Sequence, residues 1–289
     1  MTNLTQTGRP ERRTSPLRGV LRARYAALPA EHGAWVFLFS PLLAGLAAGG
    51  LSRGSAPLVA AALAAFLIRQ PVTLLVKIFS RRRPRKEMPA GLFWLGVYGL
   101  IGLAALAALV ALGYGFLLWL AVPAAPVLAA HLWLVSRRAE RRALWVELVA
   151  SGTLALSAPA AYWVGQGAYL PDGWLLWGLL WLQVAGTILY AYLRLEQRAL
   201  KEKPAPAESL RMALPALAYN WAVFLLALGL GLGGVVPRLV PLAFLVQPLE
   251  TVWGTLYLAV GVKPKVIGLR QTAMSALFTL VMILTWLAG

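Results

Sequence analysis

Apolar positions along the chain gather into nine long runs, at roughly 34–51, 56–79, 91–112, 114–135, 143–165, 174–193, 212–232, 239–262 and 271–288. Each is close to the about 20 residues that a helix needs to cross a hydrocarbon core about 30 Å thick. In lipid the backbone must satisfy its own hydrogen bonds, so runs of this kind are read as helices. The pattern predicts an all-α membrane protein, a bundle of about nine transmembrane helices. Gly113-Tyr114-Gly115 makes a tight break that joins the third and fourth runs as a hairpin, and Pro171-Asp172-Gly173 closes a turn after the fifth.

Residues 1–30 differ from the rest. They are rich in Ser, Thr and Arg, and Leu17, Val20, Leu21, Tyr25 and Leu28 recur at helical spacing opposite Arg18, Arg22 and Arg24. This predicts a basic tail carrying an interfacial amphipathic helix on an anionic leaflet, ahead of a transmembrane domain over 31–289. No small-residue cleavage site follows a short apolar core, so the first run reads as an anchor rather than a signal peptide.

Charge orients the runs. Cytoplasmic loops carry the excess of Lys and Arg, and with nine spans 25 of the 27 basic residues fall on one side, leaving only Arg53 and Arg238 on the other. The N-terminus is therefore expected inside and the C-terminus outside, in a bacterial cytoplasmic (inner) membrane. The net charge of +17 is a topology signal in this setting, and no nucleic-acid partner is expected. At 60% apolar and 13% charged the chain is far from the about 25% charge of soluble domains. With no cysteine and two histidines, thiolate metal sites and His-rich centres are excluded. No metal or cofactor is expected.

Ionisable groups inside spans are expensive and default to paired or functional residues. Arg69, Thr73 and Lys77 share one face of the second span at i, i+4 and i+8, with Pro71 expected to kink or break the helix. Glu250 lies near the middle of the eighth run with Gln247 one turn away, and Pro248 adds a second break. Arg69 and Glu250 are expected either to form a structural ion pair or to line a ligand or proton site. Tyr190, Arg194 and Arg198 fall at i, i+4 and i+8 on the sixth span, where the two arginines are expected to snorkel to the inner interface. Glu31 and His32 open the first span, an acid near a helix N-terminus beside a group that titrates near neutrality. Gly45 and Gly49 form a small-residue packing face. Asp172, in an outer loop, is the one aspartate in the chain, and no phosphate-binding loop, dinucleotide fingerprint, HExxH or GxSxG occurs.

The run Glu31-His32-Gly33-Ala34-Trp35 followed by Pro41-Leu42-Leu43-Ala44-Gly45 resembles the opening of the YwiC-like family of bacterial membrane proteins. Arg69-Gln70-Pro71 with Lys77, and Lys263-Pro264-Lys265 before Ile267-Gly268, look like its later markers. The resemblance implies a membrane protein and no particular reaction. In span number and in the position of its basic loops, the chain is more distantly similar to UbiA-type intramembrane prenyltransferases. Those enzymes hold Mg²⁺ and a diphosphate with aspartate-rich loops, and this chain has none there.

Three functions stay open. The first is binding of an anionic, phosphate-bearing lipid or isoprenoid in a cytoplasmic-half pocket, as a UbiA-like transferase without the aspartate motifs or as a binder alone. Its residues would be Arg69, Thr73, Lys77, Glu250, Gln247, Glu31, His32, Tyr190 and Arg194, since guanidinium groups match phosphate. The second is a small-solute or proton-coupled transporter, and the third a non-catalytic membrane scaffold.

Overall fold

Each apolar run closes its own backbone hydrogen bonds, and the computed structural model of the chain is helical throughout. It describes residues 23–29, 32–137 and 144–289, apart from the side chains of His32 and Gly33, and holds no strand among them. The helices are α1 (Arg24–Ala27), α2 (His32–Gly49), α3 (Ser55–Phe79), α4 (Met88–Ala111), α5 (Ala121–Ser136), α6 (Leu144–Ala155), α7 (Ser157–Gln166), α8 (Asp172–Ala199), α9 (Pro206–Leu232), α10 (Pro241–Phe244), α11 (Val246–Leu256) and α12 (Pro264–Leu287).

Seven helical stretches are long and apolar enough to cross a membrane: Ser55–Phe79, Arg85–Ala111, Gly115–Ser136, Leu144–Gln166, Asp172–Ala199, Pro206–Leu232 and Pro264–Leu287. Large apolar side chains such as Leu100, Leu103, Trp119 and Leu232 point outward, the inverse of a water-facing surface. The chain is a multi-pass membrane protein.

The seven stretches match seven of the nine runs; the other two depart from the expected form. The first run is a shorter apolar helix, α2. The eighth is broken into α10 and α11, and leaves the helix at Tyr257. Pro248 sits in the first turn of α11 and has no N–H for the carbonyl of Phe244, so the ladder lapses where α10 ends. The fifth run also changes helix, at Leu156, between α6 and α7. By contrast α3 runs unbroken through Pro71, whose ring is buried.

Helix α8 occupies the centre, and packs against α6, α7, α9, α11 and α12. Its Leu176, Leu179 and Leu180 meet Val223, Phe244, Phe278 and Met282 in the main core. Helices α2 and α7 approach very closely: a Cβ at Gly45 would lie 2.3 Å from the carbonyl oxygen of Ala158, and one at Gly49 2.5 Å from that of Tyr162. The small-residue face expected of Gly45 and Gly49 is thus where two backbones touch. Gly113, at φ +91°, makes the α4 hairpin turn. Of the expected amphipathic helix, residues from Ala23 onward are described. Ala23 and Ala26 pack on Leu74, Leu75, Ile78 and Ala90, while Tyr25 and Leu28 are exposed. Gln70 Nε2 and Tyr98 Oη pin the segment by donating to the carbonyls of Tyr25 and Ala27, each at 2.8 Å.

Candidate functional site

The densest buried polar cluster is built by α8, α11 and α12. On α8, Tyr190, Arg194 and Gln197 recur at i, i+4 and i+7 and share one face. On α11, Gln247, Glu250, Thr251 and Gly254 do the same. Arg270 comes from the second turn of α12.

Glu250 is 4% exposed and both carboxylate oxygens are engaged. Arg270 donates Nε to Oε1 at 2.6 Å and Nη2 to Oε2 at 2.8 Å, and Tyr190 donates its hydroxyl to Oε1 at 3.0 Å. The basic partner of Glu250 is therefore Arg270 and not Arg69. The reason is topological. Arg69, Thr73 and Lys77 lie on α3, which packs against α1, α2, α4, α5 and α7, whereas α11 packs against α8, α9, α10 and α12. The Arg69 guanidinium stands over the ring of Phe66, 5.4 Å from its centroid.

Arg194 does not snorkel. It is 5% exposed and its Nη1 donates to Gln197 Oε1 at 2.8 Å and to the carbonyls of Gly254 at 2.8 Å and Tyr257 at 2.7 Å. Gln197 Nε2 adds a bond to the Gly254 carbonyl at 3.1 Å. These carbonyls end α11, where a helix leaves acceptors unpaired and favours a cation. Arg194 thus caps a helix that breaks off inside the protein. The next basic residue on that face, Arg198, is exposed and donates Nε to the carbonyl of Val262 at 3.0 Å.

Trp253 lies between the two arginines, with the Arg270 guanidinium carbon 3.3 Å and that of Arg194 5.3 Å from its ring centroid. Gly254 is required where it stands, since a Cβ there would lie 2.3 Å from the Tyr190 hydroxyl. Beside this group opens a cavity of about 210 Å³. Its polar wall is Tyr190, Arg194, Arg270 and Gln271, and its apolar wall includes Trp253, Leu258, Val262, Val266 and Ile267.

A second polar row leads inward. Gln247 Oε1 accepts from Thr187 at 3.4 Å, Thr251 donates to the Gln247 carbonyl at 2.8 Å, and Asn220 Nδ2 donates to Thr251 Oγ1 at 3.0 Å. Near it Ser40, Gln183, Thr187 and Ser275 line a void of about 10 Å³, room for about one water.

Of the residues expected at the site, Tyr190, Arg194, Glu250 and Gln247 come together, and Arg69, Thr73 and Lys77 stand on another face of the bundle. Glu31 and the His32 side chain lie outside the described residues. Arg270, Trp253, Gln197 and Gln271 were not among those expected. Arg270 sits six residues after the start of α12 but just ahead of the ninth apolar run, so by sequence its charge belongs to the preceding loop. Twenty residues separate it from Glu250, and that spacing carries no periodic signal because a chain reversal intervenes. Among the described residues no three of His, Cys, Asp and Glu gather around one point to hold a metal ion.

Residues 28–162 match the sequence model of the YwiC-like protein family. The uncharacterized protein YwiC of Bacillus subtilis (strain 168) is 30% identical over 149 residues, which are 52% of this chain and 58% of that relative. The match thus spans less than two thirds of the relative's length. No solved structure matches the chain.

Proposed function

We propose that the charged cavity, which lies beyond the stretch 28–162 that matches the YwiC-like protein family, binds the anionic head group of a membrane amphiphile. The observation that carries this reading is the charge of the site. Two guanidinium groups line the cavity and no carboxylate does, and Glu250, which does not line it, is already committed to Arg270. Among the described residues Arg194 bonds neutral acceptors alone, so a buried unit positive charge stands at the wall. Burying an uncompensated charge is costly, and a phosphate or other anion entering the cavity offsets it with charge-assisted bonds. The apolar wall suits the first carbons of a chain leaving the head group.

The positive-inside rule supports a cytoplasmic setting for this cavity, in the nine-pass topology of an inner-membrane protein with its N-terminus inside. Arg198 ends α8 and Lys263 and Lys265 begin α12, so the cavity lies at a basic end of the bundle. Binding is the chemistry these groups support. The one carboxylate is held in an ion pair, and transfer of a prenyl diphosphate in the UbiA manner would need further oxygen ligands for Mg²⁺.

The test is retention of phospholipid through purification in mild detergent, read by native mass spectrometry. Wild type is expected to keep an anionic lipid that Arg194→Gln and the cavity-filling Val266→Trp both lose. Equal retention by all three contradicts the reading. Transport is the second reading, favoured by the polar row from Ser40 through Gln183, Thr187 and Gln247 toward Glu250. Proton-coupled flux in proteoliposomes that Glu250→Gln abolishes would support it.

A further inference from the structure

Gln197, one turn beyond Arg194 on α8, is fully buried and forms no part of the cavity wall, yet it settles what Arg194 offers there. Its Oε1 accepts from Arg194 Nη1 at 2.8 Å and from the backbone N–H of Ala259 at 3.3 Å, and its Nε2 donates to the Gly254 carbonyl at 3.1 Å. The groups facing the oxygen are donors only and the group facing the nitrogen is an acceptor only, so the partners themselves determine which way the amide points. With the carbonyls of Gly254 and Tyr257, Gln197 gathers three acceptors around Arg194 Nη1. The side-on edge of the same guanidinium, Nε and Nη2, has no partner among the described residues, and both nitrogens keep surface that a water-sized molecule can touch. Arg194 lines the cavity, so that edge is open to a ligand. Arg270 shows on the same wall how such an edge is filled, since its Nε and Nη2 hold the two oxygens of Glu250.

Resting on the anion reading above, we propose that Gln197 determines the charge this cavity accepts. It holds the Arg194 guanidinium with the Nε–Nη2 edge toward the cavity and, being neutral, leaves that charge to a two-oxygen anion bound side-on. A carboxylate at position 197 would pair with Arg194 from behind, as Glu250 pairs with Arg270, and a ligand anion would then meet a cation already neutralised. The amide makes the same bonds to Arg194 and Ala259 and carries no charge. Two parallel N–H bonds are the geometry that guanidinium groups form with carboxylates and phosphates, and an ammonium does not reproduce it. Gln197 acts through Arg194 and touches no ligand, so it is a positioning residue. The same phosphate chemistry exists in a phospholipid head group and in a soluble glycerol phosphate, and the apolar wall of Leu258, Val262, Val266 and Ile267 favours the lipid.

The experiment uses the full chain, delipidated in detergent, with binding read by native mass spectrometry titration and folding by thermal unfolding. The probes are dioleoyl phosphatidylglycerol, dioleoyl phosphatidylcholine, whose ammonium cancels its phosphate charge, and soluble glycerol phosphate. Wild type is expected to bind phosphatidylglycerol about tenfold or more tightly than either, the worth of one charge-assisted hydrogen bond. Gln197→Glu, the closest in shape, is expected to bring the two lipids within about twofold of each other, and Gln197→Met, which adds no charge, to reduce the preference only about threefold. A merely structural role for Gln197 gives the reverse order, with methionine the more damaging to binding, and overturns the proposal. A preference that Gln197→Glu leaves intact overturns it too, and the anion reading then stands. Because its carboxylate pairs with Arg194 inside the protein, Gln197→Glu is expected to unfold close to wild type, and a variant that cannot be purified folded contradicts that pairing. If Gln197→Met does not fold, wild type and Gln197→Glu still carry the comparison. Arg194→Lys keeps the charge and gives up the fork, and is expected to weaken phosphatidylglycerol binding about tenfold; undiminished binding overturns the side-on pairing. If wild type does not prefer phosphatidylglycerol to phosphatidylcholine, the anion reading itself fails. If soluble glycerol phosphate binds wild type as tightly as phosphatidylglycerol, the lipid source is overturned.

Discussion

Glu250 and Arg270, twenty residues apart on two different helices, meet through two parallel hydrogen bonds of 2.6 and 2.8 Å. The carboxylate side chain is 3% exposed and the guanidinium side chain 35% exposed. The pair therefore joins a buried acid to a base at a cavity wall. It also frees Arg194 from a carboxylate partner, which is why the site has a surplus cation.

Breaking this pair from either side should be unequal. Arg270→Met leaves Glu250 buried and unpaired, and should destabilise by the about 3–5 kcal/mol typical of such cases. Glu250→Gln leaves a cation that reaches the cavity and should cost less. The double variant Glu250→Leu/Arg270→Met should recover much of the loss. Unfolding in detergent measures all three, and additive losses would count against a coupled pair.

Gly254→Ala places a methyl in the position of the Tyr190 hydroxyl and should cost about 1–3 kcal/mol, the range for overpacking, with the Tyr190–Glu250 bond lost. Gly268→Ala is the control. A Cβ there meets nothing within 4 Å, and the exchange inside α12 should be neutral or stabilising by up to about 1 kcal/mol. Thermal unfolding that ranks the two variants the other way would contradict the geometry.

How much of this was legible in the sequence divides along the kinds of signal involved. Apolar runs marked the helices because the bilayer enforces the same length and polarity on each. Gly113 and the pair Gly45 and Gly49 were readable for a similar reason, since turns and close backbone contacts admit few residue types. Tyr190, Arg194 and Gln247 stood out as polar residues in apolar runs, at helical spacing. What escaped was pairing across helices. Glu250 was expected opposite Arg69 because both lie mid-run, and nothing in one-dimensional spacing says that α3 packs away from α11. Arg194 was expected at the interface because snorkelling is common for arginine near a span end. Its burial follows from the early end of α11, whose open carbonyls it caps.

Gly45→Val should be more damaging than an ordinary overpacking change. The atom it meets is the backbone carbonyl of Ala158, which cannot rotate aside. We expect a loss above about 3 kcal/mol, beyond the usual range for added methylenes, seen as poor yield or early unfolding. A stable, normally expressed Gly45→Val protein would show that α2 and α7 are not in contact.

The topology is testable because the chain has no cysteine. Single cysteines at Lys203 and Arg83 should be shielded from an impermeant thiol reagent in intact cells, and those at Arg53 and Gly234 should be labelled. Labelling of Lys203→Cys from outside would reverse the orientation.

The most direct test of the charged cavity is an experimental structure of the chain in bilayers containing phosphatidylglycerol, read for the contact between Arg194 and phosphate. The account predicts head-group density in the cavity beside Trp253, with a phosphate oxygen about 3 Å from the Arg194 guanidinium. A cavity filled by protein side chains, or a phosphate bound elsewhere with this cavity lacking it, would contradict the account.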